Sequence, residues 1–126
     1  VGALSTVLMA LMPTPNTRET NRMMPCTPSI EPAITVTVSD AQTGVPLEAT
    51  IVVKDGNFQE ELKRRGVTAT GQMIYGGAFE RPGVYSVKTS KEGYEPSVLE
   101  NIKVTQDQCH VVTRQLSVLL TPTNFR

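Results

Sequence analysis

The stretch AITVTVSDAQTGVPLEATIVVKDG, from Ala33 to Gly56, decides the fold. Its opening alternates: Ile34, Val36 and Val38 fall on one face of an extended chain, and Thr35, Thr37 and Ser39 on the other. A period of two marks a strand with one dry and one wet face. DAQTGVP then breaks the run, with Asp40, Gly44 and Pro46 as turn formers. EATIVVKDG resumes it and places Ala49, Ile51 and Val53 inward, and Asp55-Gly56 marks a tight return.

The same rhythm continues toward the C-terminus. NFQEEL predicts a third strand with Phe58, Glu60 and Leu62 on one side. KRRGVTATG reads as a charged turn, and its Lys63-Arg64-Arg65 run as a solvated loop or a docking patch. QMIYGGAF is a fourth strand ending at Gly76-Gly77, and Pro82-Gly83 predicts a type II turn. GVYSVKTS, with Tyr85 and Val87 facing one way, is the fifth; KEGYEP turns the chain into SVLENIKVT, the sixth. After QDQCH, the run VVTRQLSVLLT is a long seventh strand. There Arg114 shares a face with Val112, Leu116, Val118 and Leu120, so either it snorkels at an edge or a bulge shifts the register. Short strands at about ten-residue spacing, with turn signals between them, predict a two-sheet sandwich.

The first residues differ in kind. VGALSTVLMALM is an apolar run too short to span a bilayer and of the length of a signal-peptide core. PTPNTRETNRMMP after it is a polar, proline-rich linker. The expected division is therefore a signal-like segment and linker over residues 1–25 and a β-sandwich domain over residues 26–126. The alternative for the first part is a loosely docked arm. Cys26 follows Arg22, Met23, Met24 and Pro25, a context that does not suit lipidation.

The 126 residues carry 12 basic and 12 acidic side chains, so net charge gives no reason to expect a nucleic-acid partner. The single histidine, His110, follows Cys109, and the other cysteine is Cys26. Three such residues, spread this way, do not make a zinc site. Neighbours on a strand point to opposite faces, so Cys109 and His110 do not form a nucleophilic pair. The remaining readings are two free thiols or a Cys26–Cys109 disulfide, and the disulfide is the expectation. Cys26 precedes the first strand and Cys109 opens the last, and these strands commonly lie close in sandwiches. The bridge would close a loop of roughly 80 residues and imply an oxidising compartment.

The strand-turn-strand above resembles the opening of carboxypeptidase regulatory-like domains, also called prealbumin-like or transthyretin-like. Their pattern is D-x-x-T-G-x-P-L-x-x-A; Asp40, Thr43, Gly44, Pro46 and Leu47 match it, and Ala49 falls near its last position. RPGVYSVKTSKEGYEP is similar to a later part of that pattern, through Gly83, Tyr85, Val87, Gly93 and Tyr94. The resemblance covers about Ala33 to Leu120. It implies an all-β, seven-stranded Greek-key β-sandwich of prealbumin-like or Ig-like type. It also implies an accessory module rather than a particular chemistry, since such domains stand beside many catalytic and surface proteins. Hydroxyisourate hydrolases of transthyretin-like type use several histidines and end in Tyr-Arg-Gly-Ser; this chain has one histidine and ends TPTNFR. Collagen-adhesin repeats that form Lys–Asn isopeptide bonds need a lysine in the first strand, and AITVTVS has none.

The functional expectation is a non-catalytic interaction module, secreted, periplasmic or at the cell surface, with an unidentified protein or glycan partner. No cofactor, metal or transmembrane span of the mature domain is expected. Gly83, Tyr85, Gly93 and Tyr94 are read as structural corners, each tyrosine burying its ring and sending its hydroxyl to a backbone partner. Three loops at one sandwich end form the expected contact surface, with Gln42, Thr43, Arg64, Arg65, Lys91 and Glu92 as its polar residues. The alternatives are a structural spacer of a surface assembly, or a small hydrolase in which His110 meets two or more carboxylates or arginines in a cleft. Asp40, Asp55 and Asp107 fall in loops where they act as turn formers or as calcium ligands.

Overall fold

Ile34, Val36 and Val38 are fully buried while Thr35 and Thr37 stay half-exposed, so the alternation of the first strand divides core from surface as expected. The structure, a computed structural model, describes residues 26–124; the segment expected over residues 1–25 lies outside the described residues. Eight strands follow in order: β1 Ile34–Asp40, β2 Thr50–Asp55, β3 Phe58–Glu61, β4 Lys63–Val67, β5 Met73–Gly77, β6 Gly83–Ser90, β7 Ser97–Val104 and β8 Arg114–Leu120. Among the described residues there is no helix, and hence none long and apolar enough to cross a membrane.

The strands form two four-stranded sheets, ordered β4-β5-β1-β8 and β3-β2-β6-β7. β1 is central in its sheet. It runs antiparallel to β5 and parallel to β8, in unbroken register from Ile34 opposite Arg114 to Asp40 opposite Leu120. In the second sheet β2 and β6 are central, pairing Thr50 with Ser90 through Lys54 with Ser86. Inward residues of both sheets make one core: Ile34, Val36, Val38, Ile51, Val53, Tyr75, Tyr85, Val87, Ile102, Val104, Val118 and Leu120. Burial of these β-branched and aromatic side chains, at about 25 cal/mol per Å² of apolar surface, is the main force joining the sheets.

The strand count is eight, one more than expected, because KRRGV is not a loop. Lys63–Val67 pairs with β5, Lys63 opposite Gly76 and Val67 opposite Met73, with a bulge between Arg64 and Gly66. Phe58 to Val67 is nearly continuous strand that leaves one sheet as β3 and enters the other as β4. The crossing is at Leu62, 3% exposed, whose N–H donates to the carbonyl of Ile51 at 2.8 Å.

Two turns also differ from expectation. The left-handed positions before β6 are Ala78 and Glu80, each at φ 53°, and Arg81 N–H donates to the Ala78 carbonyl at 3.2 Å. Gly83 is instead the first residue of β6 and lacks the positive φ that a type II turn at Pro82-Gly83 needs. At the other end of the chain β8 begins only at Arg114, and Val111 rather than Val112 enters the core. From Arg114 onward the β1–β8 register is unbroken, with no bulge inside β8. Arg114 is exposed at the strand end and reaches across to donate to the Lys103 carbonyl of β7 at 3.0 Å.

Candidate functional site

Asp40 ends β1 and organises one end of the sandwich. Its Oδ1 accepts the N–H groups of Gln42 at 2.7 Å and Thr43 at 2.9 Å, and Thr43 Oγ1 accepts the Val45 N–H at 3.2 Å. Gly44 at φ 78° completes the turn in a conformation that a side chain strains. The D-x-x-T-G spacing is thus the wiring of this loop, an aspartate cap followed by a threonine cap. Asp40 Oδ2 accepts the hydroxyl of Tyr94 at 2.7 Å, although the two residues are 54 apart in the chain. That hydrogen bond, then the Thr43 and Gln42 N–H groups, hold the Asp40 carboxyl below its usual range. The same contact pushes the Tyr94 phenol up.

Three loops meet at this end. The turn after β6 is tied by Tyr94 to Asp40, and the β4–β5 turn by Gln72 Nε2, which donates to Ser39 Oγ at 2.7 Å. Thr123 N–H donates to the Gly93 carbonyl at 2.9 Å and Glu95 N–H to the Thr121 carbonyl at 2.8 Å, so the segment after β8 braces the same turn. Beside them lies a hollow of about 290 Å³ lined by Glu48, Ala49, Thr50, Ser90, Lys91 and Glu92.

The six residues expected on this surface divide accordingly. Gln42 and Thr43 are exposed on the Asp40 loop, and Lys91 and Glu92 line the hollow. Arg64 comes from strand β4 rather than a loop, but its guanidinium lies 3.9 Å from the carboxylate of Glu48 at the hollow's rim. Arg65 does not join them. Its Nε donates to the Gly76 carbonyl at 3.2 Å and its guanidinium stacks 4.8 Å from the Phe79 ring centre, which commits it to the sheet edge.

Of the expected corners, Tyr85 lies in β6. Its ring is 1% exposed and its hydroxyl donates to the carbonyl of Arg81 at 2.6 Å. Arg81 returns a hydrogen bond to that hydroxyl, pairs with Asp55 at 3.0 Å and stacks 4.0 Å from the Phe58 ring. Tyr94 is half-buried and takes a carboxylate, not a backbone carbonyl, as its hydroxyl partner. The loop aspartates have all found work within the chain: Asp40 on loop amides and Tyr94, Asp55 on Arg81, and Asp107 on the Cys109 and His110 N–H groups at 2.8 and 2.9 Å. Among the described residues no group of three or more His, Cys, Asp or Glu side chains is placed to hold a metal ion.

The second polar centre surrounds the disulfide. Cys26 and Cys109 are joined, with Cα atoms 5.2 Å apart. The bridge brings together the residues that follow each cysteine: Thr27 Oγ1 lies 3.0 Å from His110 Nε2. His110 Nδ1 lies 2.6 Å from Glu80 Oε2. Glu80 is fixed in turn by the N–H groups of Glu31 at 2.9 Å and Val111 at 3.1 Å. The Glu31 N–H first, then His110, hold the Glu80 carboxyl below its usual range, and Glu80 pushes the His110 imidazole up. Sequence reading places the disulfide but not this cluster. The Thr27–His110 approach follows from the bridge once one looks at the residues after each cysteine; Glu80, in an irregular turn 30 residues away, leaves no such trace.

No protein-family model matches the chain, and no curated protein sequence matches it either.

Proposed function

We propose that the domain is a non-catalytic interaction module of an exported or cell-envelope protein, of carboxypeptidase regulatory-like type, that takes a protein or glycan ligand on the Asp40 end. The observation that carries this reading is the hydrogen-bonded convergence of three loops on Ser39 and Asp40, beside a hollow whose rim alternates Glu48, Lys91 and Glu92. Loops held in advance lose little entropy on binding, which is what a recognition surface needs. The exposed disulfide supports an oxidising compartment, where such bridges persist.

The hydrolase alternative draws on one observation, the series Thr27–His110–Glu80, whose spacing matches a hydroxyl, a base and an orienting acid. Two features weigh against it. The N–H groups of Glu31 and Val111 are already used by Glu80 and those of Cys109 and His110 by Asp107, so none of these four is free for an oxyanion. The hydrogen bonds in series from Glu80 through His110, Thr27 and Ser29 to Glu31 also call for an imidazolium, which has no lone pair to accept a proton.

The test is an array of immobilised glycans and extracellular proteins probed with the wild-type domain and with Q42A/T43A and K91A/E92A variants. Binding reduced at least about tenfold by either pair, with unchanged thermal stability, is the expected result. Arrays that are blank throughout, or binding indifferent to both pairs, would retire the loop-end reading.

A further inference from the structure

The polar series beside the disulfide obeys a hydrogen count. Four contacts run end to end: Glu80 Oε2 to His110 Nδ1 at 2.6 Å, His110 Nε2 to Thr27 Oγ1 at 3.0 Å, Thr27 Oγ1 to Ser29 Oγ at 3.0 Å, and Ser29 Oγ to Glu31 Oε2 at 2.9 Å. Each contact needs one hydrogen, and the carboxylates at the two ends supply none. Ser29 donates its hydroxyl hydrogen to Glu31. Its oxygen must therefore accept from Thr27. Thr27 has then spent its own hydrogen, and its oxygen must accept from His110 Nε2. At the other ring nitrogen, Nδ1 faces a carboxylate and also donates. A neutral imidazole carries one N–H, whereas the series needs two. Only the imidazolium closes all four contacts.

We propose that residues 27–30 form a proton-counted flap, closed beside the disulfide when His110 is an imidazolium and opened at Thr27 when the ring is neutral. The flap has fixed ends. Behind it Cys26 is bonded to Cys109; ahead of it Glu31 N–H donates to Glu80 Oε2 and Glu80 N–H to the Glu31 carbonyl, both at 2.9 Å, and Thr113 Oγ1 donates to the Pro32 carbonyl at 2.6 Å. Loss of one proton thus loosens a short tethered segment and leaves the sandwich intact. Among the described residues the acids acting on the ring are Glu80 from the turn before β6, Glu31 at the flap's anchored end, and Asp107 from the ring's own loop. Their electrostatic pull has the same sign as the hydrogen count, with Glu80 the largest cause of the upward shift of His110.

The pH window follows from the two partners. The native pKa of His110 is raised above 6.5, so its contribution is complete below 6.5 and is lost as pH rises through the native value. That of Glu80 is lowered below 4.5, so its contribution is present above 4.5 and is lost as pH falls through the native value. The flap is tightest between these limits and opens on the alkaline side.

The single histidine makes the experiment direct. Ring nitrogen shifts of ¹⁵N-labelled protein give the His110 titration midpoint, and ¹³C relaxation of the Thr27 methyl group reports the flap. The wild-type midpoint should lie above 6.5, and Thr27 methyl order should fall as pH passes through it. Ser29→Ala is the deciding variant. It removes no charge, lies on an exposed residue and deletes the contact that forces Thr27 to donate away from the ring, so it should lower the midpoint. Glu80→Gln should lower it as well. An unchanged midpoint in S29A would reduce the series to an ordinary ion pair and overturn the proposal, as would an unchanged midpoint in E80Q or Thr27 methyl order that does not follow the titration. Amide shifts of β1 and β8 confirm that each variant keeps the fold.

Discussion

Thr89 lies in the core strand β6 with no exposed surface, and its hydroxyl oxygen is the one buried side-chain polar atom without a hydrogen-bond partner among the described residues. Burying an unpaired hydroxyl costs about 1–3 kcal/mol by protein mutational data. Valine has nearly the same shape and nothing to desolvate. Thr89→Val should therefore raise the urea midpoint, by about 1 kcal/mol or more in stability, with the slope of the transition unchanged. A loss of stability would show that the hydroxyl has found a partner, such as an ordered water. Asp40 presents the opposite case, a carboxylate 7% exposed with every nearby donor aimed at it. Its position in D-x-x-T-G is readable from the sequence because the loop amides it caps lie two and three residues on. Its bond to Tyr94 is not readable, because nothing in a strand pattern says which two loop residues 54 apart will meet.

Strands were legible where one face is dry. β2, β6 and β1 as far as Val38 bury every second residue, and their period of two marks them. β4 buries none of its five residues and carries three consecutive cations, so hydrophobic patterning has nothing to report. It is held by backbone pairing to β5 and, as an edge strand, uses its charges to discourage pairing with other chains. The start of β8 at Arg114 departs from the sequence pattern for a related reason. Val111 and Val112 are both apolar, and only the chain's entry from the Asp107 loop decides that Val111 turns inward. The weight of the β3–β4 crossing falls on Leu62; a methyl added at Gly77 would lie 2.6 Å from Glu60 Oε2 and 2.9 Å from Leu62 Cδ2. Leu62→Ala removes the side chain that seals the sheets where the strand changes layers. It should cost about 2–5 kcal/mol in a denaturant melt, the range for large-to-small core changes. A cost well under 1 kcal/mol would mean that β3 and β4 are held by their ladders alone.

At the scale of the molecule, the parallel pairing of β1 with β8 joins the two ends of the domain, and the Cys26–Cys109 bridge, spanning 83 residues, locks the same closure covalently. Both act on one quantity, the entropy of bringing distant segments together. For a loop of this length the chain-entropy account assigns the bridge about 4–5 kcal/mol, most of it by restricting the unfolded chain. That account makes a distinctive prediction for C26S/C109S. Global stability should fall by several kcal/mol, while the amides of β1, β2 and β6 keep native chemical shifts, because the constraint lost belongs to the unfolded state. Reduction of the wild-type protein should reproduce the effect. If instead the bridge acts by holding the arm in place, the double variant should shift amides from Ala33 to Val36 and around Arg114, where the arm runs into the β1–β8 ladder, with only a small change in the denaturation midpoint. Measured together, urea melts and amide shifts assign the disulfide to the unfolded chain or to the native arm. The exposed position of both cysteines predicts that reductant reaches the bridge without prior unfolding.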